Sequence, residues 1–314
     1  MLGYFLRRLL IAVPVILIVM LLTYGLAVYG PGDPVSTMIG ATEQRNNQEL
    51  IERLRHEHGY DKPFLVQYAN YVSDFVQGDW GISFQSQDQA VRVLVFRALP
   101  VSAQLGIAAF IFLLVVGIPL GVIAGVKQDS IFDRIIVSFA ILADSVPTFV
   151  MAPVALVVFV LKLGIISRSV GWDGLWSEKV ILPAIILALS PMLLIIRQTR
   201  FAVIDTMQQD YIRTARAKGL RPRVIVVRHV LRNAIQPVLT LAGIIAAYIV
   251  TGSIFIEQIF GIPGFGQLVV GGLRKNDLPL LMATTIIGAV IIIVANIVVD
   301  MLYAVLDPRI RLAN

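Results

Sequence analysis

The stretch VSAQLGIAAFIFLLVVGIPLGVIAGV, residues 101–126, carries no charged side chain and sets Gly117, Gly121 and Gly125 four residues apart. A helix needs about 20 apolar residues to cross the hydrocarbon core of a bilayer, so this block reads as a membrane span. Its glycines form one small-residue face suited to close helix packing. Blocks of the same kind occupy residues 9–29, 135–161, 180–196, 237–256 and 282–306. The fold class that follows is all-α and integral to a membrane, with six transmembrane helices.

Whole-chain composition agrees. Of 314 residues, 57% are hydrophobic and 15% charged, against roughly 25% charged in a soluble domain. The absence of cysteine excludes disulfides and any cysteine-based metal site or nucleophile. Block 9–29 follows Arg7 and Arg8 and outruns the apolar core of a secretory signal, so it reads as a retained first span. Block 135–161 contains Asp144, Pro147 and Pro153. A central Asp costs roughly 2.5–3.5 kcal/mol on the insertion scale, and each Leu, Ile, Val or Phe returns about 0.3–0.6. The block holds 16 residues of those four types, so insertion wins. Its prolines predict a kink, with the freed carbonyls satisfied by neighbouring helices.

Basic residues set the orientation. With a cytoplasmic N-terminus, the inside segments hold 15 Lys and Arg, nine of them between Arg197 and Arg232. The two short outside loops hold five. The long first outside segment holds six, but long loops cross largely regardless of charge. Both termini are therefore expected in the cytoplasm. The net charge of +6 belongs to this asymmetry and faces membrane lipid and cytoplasmic partners; no nucleic acid is implied. Residues 1–30 form the first transmembrane helix, 31–98 an extracytoplasmic segment, 99–307 the core with a cytoplasmic loop at 197–234, and 308–314 a cytoplasmic tail.

Within the extracytoplasmic segment, residues 42–58 read as a polar helix. Phe64, Leu65, Tyr68, Val72, Phe75 and Val76 then recur at helical spacing as an apolar face. That face suits a cap on the outer ends of the spans, a docking surface, or both. The loop 197–234 is richer. Asp205 with Gln208 reads as an N-cap with its capping-box partner, and Ile204, Met207, Tyr211 and Ala215 make one stripe. Gly219 stands where a helix ends in a left-handed residue, and Pro222 opens the next. Val224, Val227 and Leu231 form a second stripe among Arg221, Arg223, Arg228 and Arg232. Two short amphipathic helices at an angle suit either a groove on a soluble protein or a headgroup surface.

The run from Asp210 through Tyr211, Arg213, Thr214, Ala215, Arg216 and Lys218 to Gly219, followed by Arg228–Asn233 and Pro237, resembles the coupling motif of binding-protein-dependent ABC importer permeases. The dipeptide, oligopeptide and nickel branch fits best. Gly32-Asp33-Pro34, the run from Gly78 to Ser83, the run from Glu257 to Gly266, and Asp300 with Tyr303 and Asp307-Pro308-Arg309 resemble that branch too. Arg213 and Thr214 stand where the general motif has Glu and Ala, and Pro237 comes 18 residues after the glycine, which again matches the peptide branch. The likeness runs along nearly the whole chain and implies a type-I ABC importer permease core with an extracytoplasmic insertion after the first helix. It implies a homologous second permease subunit, two ATPase subunits that dock on the coupling loops, and an extracytoplasmic solute-binding protein. The expected location is the cytoplasmic (inner) membrane of a bacterium or archaeon.

The implied ATP and Mg belong to the partner ATPases, and no cofactor is expected on this chain. Each of the six lysines is followed by Pro, Gln, Leu, Val, Gly or Asn, so the Gly-Lys-Ser/Thr signature of a phosphate-binding loop is missing. No catalytic residue and no metal site is expected; His56 and His58 fall on different faces of a helix, and His229 belongs to the loop surface. Intramembrane polar residues are functional candidates by default. Asp144, beside Pro147, is a candidate for the translocation pathway, where it would meet a peptide amino group. Asn296 and Asp300 share one face of the last span and read as structural polar residues, with Asp300, near the helix end, expected to hydrogen-bond a neighbouring helix or loop. The expected cargo is a dipeptide or short oligopeptide, with nickel or another small solute as the alternative. An ion-coupled secondary transporter, the reading from a different class, would leave the basic loop unexplained.

Overall fold

A computed structural model describes residues 2–30, 35, 48–57, 59–84, 89–164 and 170–306; the side chains of residues 2–6, 247–248, 250–252, 299–300 and 302–306 are among those not described. Every extended element among these residues is a helix. In chain order they are α1 (Leu2–Tyr29), α2 (Gln48–Glu57), α3 (Phe64–Gln77), α4 (Val91–Val126), α5 (Ile131–Ser145), α6 (Thr148–Ala155), α7 (Ile181–Met207), α8 (Asp210–Ala217), α9 (Leu231–Gly252), α10 (Ile254–Phe260), α11 (Phe265–Lys275) and α12 (Leu278–Leu306). Among the described residues, five helical segments are long and apolar enough to cross a membrane: those built on α1, α4, α7, α9 and α12. The sixth expected span corresponds to α5 and α6, whose axes differ by 99°.

That bend corrects the expected kink. Pro147 disfavours helical backbone at the residue before it, and Val146 is extended at φ −105° and ψ 119°. The α-helix therefore stops at Ser145 and restarts at Thr148. Beyond Ala155 the chain widens into π-type turns over Leu156–Lys162.

The chain divides into two compact units. One comprises Met1–Pro100 with Pro263–Ile297, the other Val101–Ile262 with Val298–Asn314. In the first unit, α3 lies on α1 through an aromatic seam. Tyr24 stacks on Tyr71 with ring centroids 5.0 Å apart, and Phe75 stacks on Trp80 at 5.1 Å. Gln67 is buried; it accepts from the Tyr24 hydroxyl at 3.1 Å and donates to the Tyr60 and Lys62 carbonyls. Tyr68 donates to the Leu17 carbonyl at 2.8 Å. Leu65 and Val76 of the expected apolar face are instead exposed. The face that packs is Phe64, Gln67, Tyr68, Tyr71 and Phe75, because a buried glutamine with every hydrogen bond met costs less than the sequence pattern suggests. The polar helix expected at 42–58 is observed as α2; residues 42–47 and His58 lie outside the described set.

The run from Gly78 to Ser83 also belongs to this unit. Ser83 donates to Asp277 at 2.5 Å, both buried, and Asp277 Oδ1 accepts from the Leu280 amide at the start of α12.

The second unit is built around α7. Gly117, Gly121 and Gly125 of α4 lie on it as expected: a Cβ added at Gly121 would stand 2.5 Å from the Thr199 Cβ, and one at Gly125 2.8 Å from the Val203 Cβ. A single apolar core joins Leu105, Leu113, Ile186, Ile195, Ile196, Val238, Ile249 and Phe260. Within it the fully buried Glu257 carboxylate accepts from the Ser102 and Ser253 hydroxyls at 2.6 and 2.5 Å.

Candidate functional site

The loop between α7 and α9 starts differently from its sequence reading. Asp205 does not cap a new helix, since α7 runs through it to Met207. The turn comes at Gln208, and Gln209, with extended backbone, precedes α8. A polar face with an aspartate suits a solvated helix end as well as an N-cap, so the capping-box pattern fell one turn early.

α8 is two turns long and strongly sided. Ile212 is fully buried and Ala215 nearly so, whereas Tyr211, Arg213, Thr214, Arg216 and Lys218 are exposed. The expected stripe through Tyr211 and Ala215 is thus rotated to Ile212 and Ala215, three apart. Beneath them lie Ala202, Val203, Ile225, Val230 and Ala234 in a small core of their own, with Val122 and Met207 at its edge. On the outer face Thr214 donates to the Asp210 carbonyl, Arg213 pairs with Asp210 at 3.3 Å, and Asn233 donates to the Tyr211 hydroxyl at 2.7 Å. The last contact ties α8 to the opening of α9.

α8 ends as expected at Gly219. Its φ is +74°; its amide donates to the Arg216 carbonyl and the Leu220 amide to the Ala215 carbonyl. These are the paired bonds of a Schellman cap, which needs a left-handed residue at that place. Pro222 then stands at the first turn of the next helix, where its missing N–H costs nothing.

The second stripe is corrected. No separate short helix follows: Pro222–Val224 leads through π turns at Ile225–Val230 straight into α9. The wide turns shift the phase. Buried positions run Ile225, Val230, Ala234 and Val238, first five apart and then four, as i→i+5 turns followed by i→i+4 turns require. Val224 and Val227, expected on the apolar side, are exposed, and so is Arg228.

Two further features adjoin this loop, and the sequence reading named neither. Asp133, buried in the first turn of α5, receives Arg200 of α7 bidentately: Nε to Oδ1 at 2.7 Å and Nη2 to Oδ2 at 2.8 Å. Asp133 also accepts from the Asp129 amide, and its own amide donates to Ser130, which caps α5. The signal was present as Ser130-x-x-Asp133, a capping-box spacing, but nothing in sequence pointed to Arg200. Beside this pair a cavity of about 1010 Å³ opens between α5 and α7, with Arg134, Ser138, Ile141, Leu194, Arg197 and Phe201 in its wall.

Asp144 lies in the last turn of α5, exposed, with Oδ1 accepting from Ser190 of α7 at 2.8 Å. Pro147 marks the break before α6. Asn296 is exposed and makes no hydrogen bond among the described residues; the Asp300 side chain lies outside the described set. His56 is paired with Asp61 at 2.6 Å. This hydrogen bond holds the Asp61 carboxyl below its ordinary pKa.

Residues 117–312 match the family described as binding-protein-dependent transport system inner membrane component, and residues 1–106 match the N-terminal region of such membrane components. The chain is 38% identical to the oligopeptide transport system permease protein OppB of Salmonella typhimurium over 311 residues, covering 99% of this chain and 100% of that one. It is 36% identical to the dipeptide transport system permease protein DppB of Bacillus subtilis over 315 residues, 99% of each. Two inward-facing structures of the MetNI methionine ABC transporter share the fold, with TM-scores of 0.56 and 0.50 at 20% and 18% identity. They cover 68% and 66% of this chain, and 96% and 95% of theirs.

Proposed function

The chain belongs to the family of binding-protein-dependent transport system inner membrane components, and from that membership we propose that it is the permease subunit of an ATP-driven importer for dipeptides or short oligopeptides. Relatives named for oligopeptide and dipeptide transport align over its whole length, which favours peptide over nickel as cargo. The proposed partners are a homologous second permease subunit, two ATPase subunits and an extracytoplasmic solute-binding protein. Hydrolysis of ATP, with its Mg, takes place on the ATPase subunits. Both termini and the loop 197–234 face the cytoplasm, in keeping with the bias of lysine and arginine toward those segments.

The observation that carries the mechanism is the build of α8. Its apolar face is anchored by Ile212 and Ala215 on a small core shared with α7 and α9. Its outer face, with Tyr211, Arg213, Thr214, Arg216 and Lys218, is left to solvent. In the assembled importer that outer face, with Gly219 and Arg228, sits in a groove of an ATPase subunit. A helix fixed to two long helices on one side and gripped by a motor on the other transmits a rigid-body displacement. When the ATPases close on ATP, α8 moves with them, and α7 and α9 reorient.

The test is retention of the ATPase subunits on this chain during purification in mild detergent. Charge reversal at Arg213 and at Arg216 is expected to lower that retention at least about tenfold, the worth of a few lost charge contacts at about 1.4 kcal/mol per decade. Insertion of the chain should be unchanged. Full retention in both variants would overturn the coupling role of α8, and uptake that persists without ATP would overturn the importer reading.

A further inference from the structure

The groove between α5 and α7 carries arginines toward one end, and the carboxylate of Asp144 follows beyond the other. On α5 the residues lining it include Arg134, Ser138 and Ile141, at spacings of four and three, with Asp129 and Asp133 beside Arg134; Asp144, three residues beyond Ile141, lies just past its wall. On α7 they are Leu194, Arg197 and Phe201, with Ser190 one turn before Leu194 and bonded to Asp144. Beyond one end therefore stands a carboxylate, toward the other lie two guanidinium groups not engaged by Asp133, and Ile141 and Leu194 form an apolar floor between them.

These charges are available. Asp144 Oδ1 accepts from Ser190, while Oδ2 has no partner among the described residues. Arg197 is exposed and has neither an ion-pair nor a hydrogen-bond partner among the described residues. Arg134 makes one weak contact to the Asp129 carbonyl at 3.4 Å and lies near enough to Asp133 for its charge to act on that carboxylate, but it makes no ion pair there. By contrast, Arg200 beside them is fully engaged by Asp133, and Asp129 at the rim offsets only part of the remaining positive charge.

We propose that this groove is a track for a short zwitterionic peptide, with the ammonium group at Asp144 and the carboxylate at Arg134 and Arg197. The inference rests on the peptide-importer reading and adds to it the residues that recognise both ends of the cargo. The dimensions agree. Ten residues separate Arg134 from Asp144 along an unbroken helix, about 15 Å at 1.5 Å per residue. An extended peptide of four residues spans about 13–14 Å, and the reach of the arginine side chains admits somewhat shorter and longer ones. The peptide side chains would lie over Ile141, Leu194 and Phe201, apolar surfaces with no demand for a particular sequence. The axis of α5 reinforces the polarity, since its N-terminal end near Arg134 is partially positive and its C-terminal end at Asp144 partially negative.

The chain has no cysteine, which makes a direct test simple. Leu194→Cys, half-exposed in mid-groove, is made in the assembled transporter in lipid nanodiscs. Its modification by an anionic methanethiosulfonate is followed by the mass of this chain. Ile141→Cys serves as the second reporter should the first disturb assembly. Free tetra-alanine at about four times its Kd is expected to slow the reaction about fivefold, the factor 1 + [L]/Kd by which a bound ligand depletes the open site. N-acetyl-tetra-alanine amide, which has neither terminal charge, should not slow it. Arg197→Gln and Asp144→Asn should each abolish the protection.

Equal protection by the blocked peptide, or protection that survives both substitutions, would overturn the proposal. So would a thiol that stays unreactive at both positions with and without nucleotide, the outcome expected if the second permease subunit covers this face. Co-purification of the ATPase subunits in the same preparations reports separately on the coupling loop, so failure of the track leaves that reading standing.

Discussion

The two long faces of α7 solve opposite problems with the same backbone. Ile195, Ile196, Thr199 and Val203 are buried, and the glycines of α4 come close enough that a methyl group has no room. Leu194, Arg197 and Phe201 lie in the open groove shared with α5. The first face gains its contacts by removing side chains from its partner, the way helices approach each other where lipid offers no hydrophobic gain. The second face keeps long side chains and leaves space. A helix that is to move as one piece needs a rigid seam on one side, and it can meet cargo only where the other side is unpacked.

Substitutions should separate the two faces by size of effect. Gly121→Val is expected to be the most damaging, because its Cβ would also fall 2.8 Å from the Ile196 carbonyl oxygen and backbone cannot yield. A loss of about 3 kcal/mol or more, the upper range for overpacking, should appear as aggregated protein in detergent and a lowered Tm. Survival of a stable protein would mean that the seam is looser than its geometry. Next, Asp133→Ala should cost roughly 2–3 kcal/mol by stranding Arg200 at the edge of the same unit. The double variant with Arg200→Ala should be no worse than the single, which a double-mutant cycle on thermal unfolding would read.

Gly219→Val should cost about 1–2 kcal/mol through its left-handed backbone alone, since no atom stands within 4 Å of an added Cβ. Gly219→Asn should cost less, because Asn tolerates that conformation. Parallel melting curves of the two variants would test this. The smallest effect belongs to the groove: Arg197→Gln should change stability by less than about 0.5 kcal/mol, as exposed residues without partners do. A larger shift in Tm would mean that Arg197 is engaged structurally and would erase the contrast between the faces.

Much of this was legible in sequence. Gly117, Gly121 and Gly125 announced a packing face, Gly219 with Pro222 announced a helix stop and restart, and the density of basic residues marked the loop between α7 and α9. Each rests on a local rule that holds wherever the residue sits. The misreadings share a cause as well. Val224, Val227 and Leu231 were assigned to one stripe at α-helical period, but the turns at Ile225–Val230 are wider, and no residue type signals a π turn. Leu65 and Val76 seemed apolar enough to be buried, yet Gln67 took that place because Tyr24, Tyr60 and Lys62 satisfy it.

Apolar run lengths alone were enough to dictate a membrane protein of several spans, since a bilayer admits few alternatives to a helix of about 20 residues. Pairings distant in the chain were a different matter. That Arg200 would close on Asp133, that Ser190 would meet Asp144, and that Arg197 would be left unengaged one turn away depends on the rotation of α7 against α5. That rotation is set by the fit of whole surfaces, to which many residues each contribute a little and none contributes a readable sign.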